Sequence, residues 1–214
     1  MDPELASMRH EYDDRSLAFD DAAGPLDPLA LFETWFAEVS GSDVAEPNAM
    51  VLSTVGPTGP SSRTVLLKGV DARGFSFFTN HESRKGQELA ASPRCALLFG
   101  WYAWHRQVRV EGEARMLARS EVEAYFAQRP RGAQLGAWAS QQSSIVADRA
   151  ELETAFASVE RRFDGTEIPP PPTWGGYVVE PNVIEFWQGR ANRLHDRAVF
   201  TRVGDGWTRQ RLAP

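Results

Sequence analysis

The chain has 214 residues, 42% of them hydrophobic, and its 23 basic and 29 acidic side chains give a net charge of −6. This composition is typical of a globular protein and argues against disorder, a fibrous repeat and wholesale nucleic-acid binding, which needs a basic surface. No apolar run approaches the roughly eighteen residues of a membrane span. Residues 1–12 lack the apolar core of a signal peptide, and a single cysteine cannot form an internal disulfide. We therefore expect a cytoplasmic protein.

The first half of the chain predicts one helix followed by short strands. Asp27-Pro28 is a capping sequence for an amphipathic helix that ends by Glu46-Pro47. Strands are then predicted over 49–55, 63–70 and 75–79, and a short helix over 83–91. The connections between these strands have hairpin length, which favours antiparallel pairing.

The second half predicts longer strands around a helical insertion. Strands over 94–104 and 107–117 precede helices over 120–128 and 147–163, which a Gly- and Gln-rich segment (132–144) links. Three more strands are predicted over 177–188, 197–203 and 207–212.

The order of these elements predicts a mainly β protein with flanking α-helices, folded as a small antiparallel barrel. We expect a flexible N-terminal segment over residues 1–26 and a single domain over 27–214, with the helical insertion at about 120–163. A doubly wound parallel fold is disfavoured, because the strands do not alternate with helices and no glycine-rich phosphate-binding loop follows a strand.

Basic residues form three clusters that suit an anion. Only two of the 23 basic residues are lysines, Lys68 and Lys85, and chance could account for either. Lys68 ends a predicted strand, where its ammonium group would meet a phosphate or the local carboxylate of Asp71. The sequence Ser83-Arg84-Lys85-Gly86 opens a helix, where backbone N–H groups favour an anion, although a solvated helix start is the alternative.

The third cluster is Arg193-Leu194-His195-Asp196-Arg197. In an extended segment Arg193, His195 and Arg197 would project from one face as a ladder of donors for an anion or an electron-rich ring. Solvated arginines on a surface strand are the alternative. The four histidines show no metal-ligand spacing, so we expect no metal. No nucleophile elbow indicates a serine hydrolase.

Eight segments, in matching order from about Met8 to the last residue, resemble the pyridoxine/pyridoxamine 5′-phosphate oxidase family. They are RTVLLK (63–68), FTNHESRK (78–85), RQV (106–108), RPRGAQLGAW (129–138), SQQS (140–143), EFWQG (185–189), RLHDR (193–197) and RLAP (211–214).

The resemblance implies an FMN-binding split β-barrel that acts as a homodimer with its active sites at the subunit interface. It implies oxidation of pyridoxamine or pyridoxine 5′-phosphate to pyridoxal 5′-phosphate, with O2 reduced to H2O2. The FMN contacts it implies are Arg63, Thr64, Val65, Leu66, Lys68, Phe78, Thr79, Arg84, Lys85, Gln107, Gln142, Ser143, Trp187 and Arg197. The substrate contacts it implies are Arg9, Tyr12, Lys68, Tyr125, Arg129, Ala133, Arg193 and His195, with Arg193 and His195 also serving catalysis.

One position departs from the family pattern. Ala133 stands where many members carry a serine that donates to the substrate phosphate, and the loss of one such donor costs about 1 kcal/mol. Two alternatives follow. One is a related flavin oxidoreductase that acts on another aromatic substrate, and the other is a non-enzymatic binder of pyridoxal 5′-phosphate.

Overall fold

The computed structural model describes Ser7, Met8, Tyr12 and residues 27–214. The helices are α1 (Pro28–Ser40), α2 (Arg84–Ala91), α3 (Arg119–Ala127), α4 (Arg131–Ala139) and α5 (Arg149–Arg162). The strands are β1 (Ala49–Gly56), β2 (Gly59–Leu66), β3 (Gly69–Asp71), β4 (Gly74–Asn80), β5 (Arg94–Trp101), β6 (Arg106–Met116), β7 (Trp174–Gln188), β8 (Asp196–Val203) and β9 (Gly206–Arg211). The segment expected to be flexible, 1–26, lies outside the described residues apart from the three named above.

The strands form one sheet in which hydrogen-bonded neighbours follow the order β2-β1-β5-β6-β7-β4-β3, with β8 on β7 and β9 on β8. Pairing is antiparallel where β4 meets β7, with Phe77 opposite Tyr177, and where β7 meets β8, with Phe186 opposite Ala198. The path has β2 and β3 as its ends and is not a closed barrel. The predicted class, a mainly antiparallel β protein with flanking helices, is confirmed. No helix in the described part of the chain is long and apolar enough to span a bilayer.

The chain divides into two compact units. The terminal unit comprises the described residues up to Val51 together with Ala96–Glu111 and Pro181–Pro214, and the central unit comprises Leu52–Cys95 and Gly112–Glu180.

Each unit has its own apolar core. In the terminal unit the ring of Phe32 on α1 lies 4.9 Å from that of Phe99, and the ring of Trp35 lies 5.2 Å from that of Phe186. The core of the central unit is built from Leu117, Val122, Phe126, Leu135, Phe163, Ile168, Trp174 and Val178.

The helix starts follow from local sequence. The side chain of Asp27 accepts a hydrogen bond from the Leu29 backbone N–H, and Pro28 takes the first position of α1, where no amide hydrogen is needed. Ser83 caps α2 in the same way, since its hydroxyl accepts from the Gly86 N–H. Both helix starts lie where the sequence predicts them.

Two predicted elements differ from the structure. The strand expected over 63–70 is interrupted at Leu67 and Lys68, which connect the end of β2 at Leu66 to the start of β3 at Gly69; Leu67 is buried and Lys68 is exposed. The segment 132–144, predicted as a linker, contains helix α4. Pro130 precedes this helix, and Leu135 anchors it in the central core, which offsets the poor helix propensity of its glycines.

Candidate functional site

A cavity of about 740 Å³ opens in the central unit between β2, β4 and the helices α2, α3 and α4. Eleven of the predicted contact residues line it: Thr64, Val65, Leu66, Lys68, Phe78, Thr79, Lys85, Tyr125, Arg129, Ala133 and Gln142. The structure therefore brings together residues that lie up to 78 positions apart in the chain. We call this space the central cavity.

Lys85 brings a buried ammonium group to the central cavity. Its Nζ donates to Gln142 Oε1 at 2.8 Å, to Thr79 Oγ1 at 3.2 Å and to Ser83 Oγ at 3.3 Å, and the residue is only 8% exposed. Burial lowers the pKa of Lys85, the nearby charge of Arg63 lowers it further, and Glu88 acts in the opposite direction. A buried cation that meets neutral oxygens and forms no ion pair with any described residue is suited to an anionic ligand.

Arg129 is a second cation of this kind. Its guanidinium lies over the Trp174 ring, 4.8 Å from the centroid, and its Nη1 is buried without a hydrogen-bond partner among the described residues. Burial lowers the pKa of Arg129. Because a buried donor left unpaired costs about 1–3 kcal/mol, this nitrogen fits a site that an acceptor on a ligand completes.

Aromatic rings form one wall of the cavity. Phe78 stacks on Tyr125 at 4.0 Å between centroids with an angle of 11°, and on Trp174 at 5.5 Å with an angle of 8°. Lys68 Nζ lies 6.0 Å from the centroid of Tyr125. Asp71, the alternative partner of Lys68, instead forms an ion pair with Arg73 at 2.7 Å. Lys68 is therefore left facing the cavity.

Arg63 and Arg84 do not line the central cavity. The guanidinium of Arg63 bonds to Thr54, Ser61 and the buried carboxylate of Glu88, and Arg84 Nε donates to Glu88 Oε1 at 2.9 Å.

Arg84 also lines a second cleft of about 460 Å³, together with Gln142 and Ser143. Ser143 adopts the left-handed backbone conformation with φ 76°.

The terminal unit has a separate cavity of about 430 Å³. It is lined by Tyr12, Gln107 and Trp187, all predicted contacts, and also by Met8, Tyr102, His105 and Arg106. His195 adjoins this group, since its ring lies 4.7 Å from that of Trp187 and 5.6 Å from that of Tyr12. Arg9, the remaining predicted contact near the N-terminus, lies outside the described residues.

The predicted ladder of Arg193, His195 and Arg197 is wrong. Ala191–Arg193 is a short 3-10 turn in which Asn192 and Arg193 have positive φ, so only Arg197 lies within strand β8. Arg193 is exposed, and Arg197 pairs with buried Glu185 at 2.7 Å. The sequence Gly189-Arg190-Ala191-Asn192 favours a turn after β7, and this local preference outweighs the alternation seen in the arginines.

His195 is held by the same turn. Its Nδ1 accepts a hydrogen bond from the Arg190 backbone N–H at 3.1 Å. Burial and the charge of Arg193 lower the pKa of His195. A neutral ring whose Nδ1 accepts must carry its proton on Nε2, so His195 offers a hydrogen-bond donor through that atom.

Sequence reasoning missed several lining residues of the central cavity. Trp174 and Gln128 line it, and so do the small residues Gly136, Ala137 and Ser140, which follow the predicted contact Ala133 along α4 and its C-cap. The i, i+3, i+4, i+7 spacing of positions 133, 136, 137 and 140 fits one face of a helix, but small residues alone do not distinguish a helix from a linker. In the described residues no cluster of His, Cys, Asp or Glu has the arrangement of a metal site.

Comparison with known proteins gives two family models that together cover most of the chain. Residues 41–163 match the model described as pyridoxamine 5′-phosphate oxidase. Residues 174–214 match the model described as the pyridoxine 5′-phosphate oxidase C-terminal dimerisation region.

Curated relatives match over nearly the whole length. A pyridoxine/pyridoxamine 5′-phosphate oxidase of Rubrobacter xylanophilus is 56% identical, covering 99% of this chain and 97% of that protein. One of a Nocardioides species is also 56% identical, covering 99% and 98%.

Two solved structures have similar folds. PhzG of Burkholderia lata 383, determined in complex with tetrahydrophenazine-1-carboxylic acid, is 32% identical with a TM-score of 0.87, covering 96% of this chain and all of that one. An FMN-binding, pyridoxamine 5′-phosphate oxidase-related protein of Nostoc punctiforme shares the fold at 17% identity, with a TM-score of 0.70 and coverage of 88% and 99%.

Proposed function

Because the chain belongs to the pyridoxine/pyridoxamine 5′-phosphate oxidase family, we propose that it oxidises pyridoxine 5′-phosphate and pyridoxamine 5′-phosphate to pyridoxal 5′-phosphate with FMN and O2. The alcohol and O2 give the aldehyde and H2O2. The amine, O2 and water give the aldehyde, ammonia and H2O2. FMN, when bound, supplies the hydride acceptor and the electrons that reduce O2.

One observation carries this proposal. Two cationic groups, Lys85 Nζ and Arg129 Nη1, lie in one cavity without an ion pair to any described carboxylate, and an aromatic wall stands beside them. Two phosphorylated ring systems, FMN and the substrate, have the chemistry that such a cavity suits. The cavity residues therefore fit the cofactor that the family implies.

We assign the two phosphates to different cations. Lys85, with Thr79 and Gln142 beside it, would hold the phosphate of FMN, and Lys68, Tyr125 and Arg129 would grip that of the substrate. Since the Tyr125 ring already stacks on Phe78, its hydroxyl is presented without further loss of side-chain freedom. Fixing the substrate phosphate orients the C4′ carbon for hydride loss, and such positioning supplies much of the rate.

Four of the predicted contacts belong to the terminal unit. We retain Trp187 and Gln107 as proposed contacts of FMN, and Arg193 and the Nε2–H of His195 as proposed contacts of the phenolic oxygen of the substrate ring. We assign no obligate acid–base residue. The low pKa of His195 keeps its ring neutral near pH 7, so it acts as a hydrogen-bond donor in this scheme.

We further propose that the protein works as a homodimer whose active sites lie at the subunit interface. The match of residues 174–214 to a dimerisation region supports the dimer. In the cytoplasm, the expected compartment, Cys95 would remain a buried thiol whose pKa burial raises to about 12.

The test of the proposed function is spectroscopic and catalytic. The purified protein should bind FMN with a flavin absorption band, and addition of pyridoxine 5′-phosphate in air should produce pyridoxal 5′-phosphate and H2O2 in equal amounts. A flavin-loaded protein that turns over another aromatic substrate and neither B6 phosphate would contradict it. Tight binding of pyridoxal 5′-phosphate without flavin would identify a non-enzymatic binder instead.

A further inference from the structure

Glu88 is a buried carboxylate beside the central cavity that the scheme above does not use. It lies on α2 with only 5% of its surface exposed. Its Oε2 accepts hydrogen bonds from Thr54 Oγ1 at 2.5 Å and from Ser61 Oγ at 2.7 Å, which ties α2 to the β1–β2 hairpin. These bonds, that of Thr54 above all, lower the pKa of Glu88 to about 2, so the group is anionic at neutral pH.

The same carboxylate holds two arginines. Arg63 Nη2 donates to Oε2 at 2.9 Å, and Arg84 Nε donates to Oε1 at 2.9 Å. Arg63 is fixed further, since its Nη1 donates to Thr54 Oγ1 and to the Leu52 carbonyl. Each oxygen of Glu88 therefore has at least one charged partner, and the carboxylate cannot shift without moving both arginines.

The position of Glu88 also determines where Lys85 stands. The two residues are three apart on α2, a helix of only eight residues, so the docking of one fixes the direction of the other. Packing here is close, because a Cβ atom added at Gly56 would lie 2.8 Å from Glu88 Oε1. Helix α2 is thus held against the β1–β2 hairpin through one carboxylate.

We propose that Glu88 is a positioning residue: by anchoring α2 to the β1–β2 hairpin, it sets Lys85 Nζ for the phosphate of FMN. This rests on the proposed function, in which that phosphate binds at Lys85.

The experiment compares FMN with riboflavin, which has the same ring and no phosphate. Glu88→Gln keeps the size of the side chain and removes its charge. Titration of the apoprotein, followed by flavin fluorescence, should show the Kd for FMN rising about tenfold, while the Kd for riboflavin changes less than about twofold. Glu153→Gln, which breaks an exposed ion pair with Arg149 on α5, is the matched control and should change neither value.

Three results would contradict the proposal or the function on which it rests. Equal weakening of FMN and riboflavin would overturn the proposal, because a general loss of structure acts on both ligands. An unchanged or lower Kd for FMN would also overturn it, since Glu88 would then be only a negative charge opposing the phosphate. Failure of the wild-type protein to bind FMN at all would refute the proposed function, a separate result.

Two further variants test whether Glu88 changes FMN affinity through the position of Lys85. If Glu88 acts through Lys85, the change in Kd for Glu88→Gln should largely vanish in a Lys85→Ala background, and full additivity would contradict this. If Glu88→Gln does not fold, Gly56→Ala displaces the carboxylate without removing its charge. It should produce the same selective loss of FMN affinity, and retention of wild-type affinity for FMN would refute the proposal.

Discussion

The cations of the central cavity differ from the paired arginines of the terminal unit. In the terminal unit Arg106 pairs with Glu38, and Arg197 and Arg109 both pair with the buried Glu185. In the central cavity Lys85 and Arg129 have no such carboxylate among the described residues. An ionised group kept from water without a counter-charge is costly. The difference indicates that paired arginines stabilise the fold, whereas the cations of the cavity are held for phosphorylated ligands.

The largest effect is expected from removing the buried ammonium group. Lys85→Ala should raise the Kd for FMN about 100-fold, because a buried charge-assisted hydrogen bond contributes about 1.5–3 kcal/mol. Fluorescence titration of the apoprotein measures this. Arg73→Ala is the control from the paired class, since Arg73 bonds to Asp71 and Glu121; it should leave the Kd unchanged. Equal effects of the two substitutions would contradict the difference in role between cavity cations and paired arginines.

Arg129 provides the second test of the comparison. Arg129→Ala should raise KM for pyridoxine 5′-phosphate about 30-fold, again from loss of a charged donor, and should leave FMN bound. Steady-state kinetics with FMN in excess measures it. Arg131, two residues on, donates to the backbone carbonyls of Phe163 and Thr166. We expect Arg131→Ala to lower Tm with little change in KM. If Arg131→Ala instead raised KM while Arg129→Ala lowered only Tm, Arg131 would be the substrate contact and Arg129 the structural residue.

The pH dependence of FMN binding should reveal the ammonium group directly. Burial, opposed by Glu88 and reinforced by Arg63, lowers the pKa of Lys85 below its ordinary value of about 10.4. As pH rises through that lowered pKa, the amine becomes neutral and FMN affinity should fall by up to about tenfold per pH unit.

The free energy of unfolding of the apoprotein should rise with pH in the range where FMN affinity falls. Between the lowered and the ordinary pKa the unfolded chain binds the proton that the folded chain has lost, so the contribution of Lys85 to stability rises with pH. Titrations of FMN and thermal unfolding of the apoprotein, each compared with Lys85→Ala, measure the two trends. A pH profile for FMN that the substitution leaves unchanged would assign the titration to another group.

The smallest effect is expected at Ala133, which lines the central cavity. Ala133→Ser adds one neutral donor near the proposed substrate phosphate. Because one hydrogen bond contributes about 1 kcal/mol to binding, KM should fall about three- to fivefold. Gly132→Ser, one position earlier and outside the cavity lining, is the control. If Ala133→Ser raises KM instead, the phosphate does not lie against this face of α4.

Much of the fold was accessible from the sequence, because hairpin turns and helix caps are local signals. Asp27 and Ser83 cap helices where they were predicted to. The rarity of lysine was also informative, since both Lys68 and Lys85 line the same cavity. Family membership, expected from eight short motifs, is confirmed by full-length relatives.

What could not be predicted depends on contacts between distant segments. Helix α4 is weak by composition and is stabilised by burial of Leu135, which only the tertiary fold supplies. The pairing of Arg63 and Arg84 with Glu88 joins β2 to α2, and the turn at Asn192 and Arg193 breaks a pattern that alternation alone had suggested. The individual contacts to FMN and substrate stay predictions.

If cations without carboxylate partners in one cavity select phosphorylated ligands, the substrate phosphate should decide turnover. The measurement supplies the FMN-loaded protein, in air, with pyridoxine 5′-phosphate or with pyridoxine and follows H2O2 release. We expect rapid turnover of the phosphate ester and a kcat/KM at least about 1000-fold lower for the alcohol that lacks it, because two or more charged contacts are lost. Comparable turnover of both compounds would contradict it.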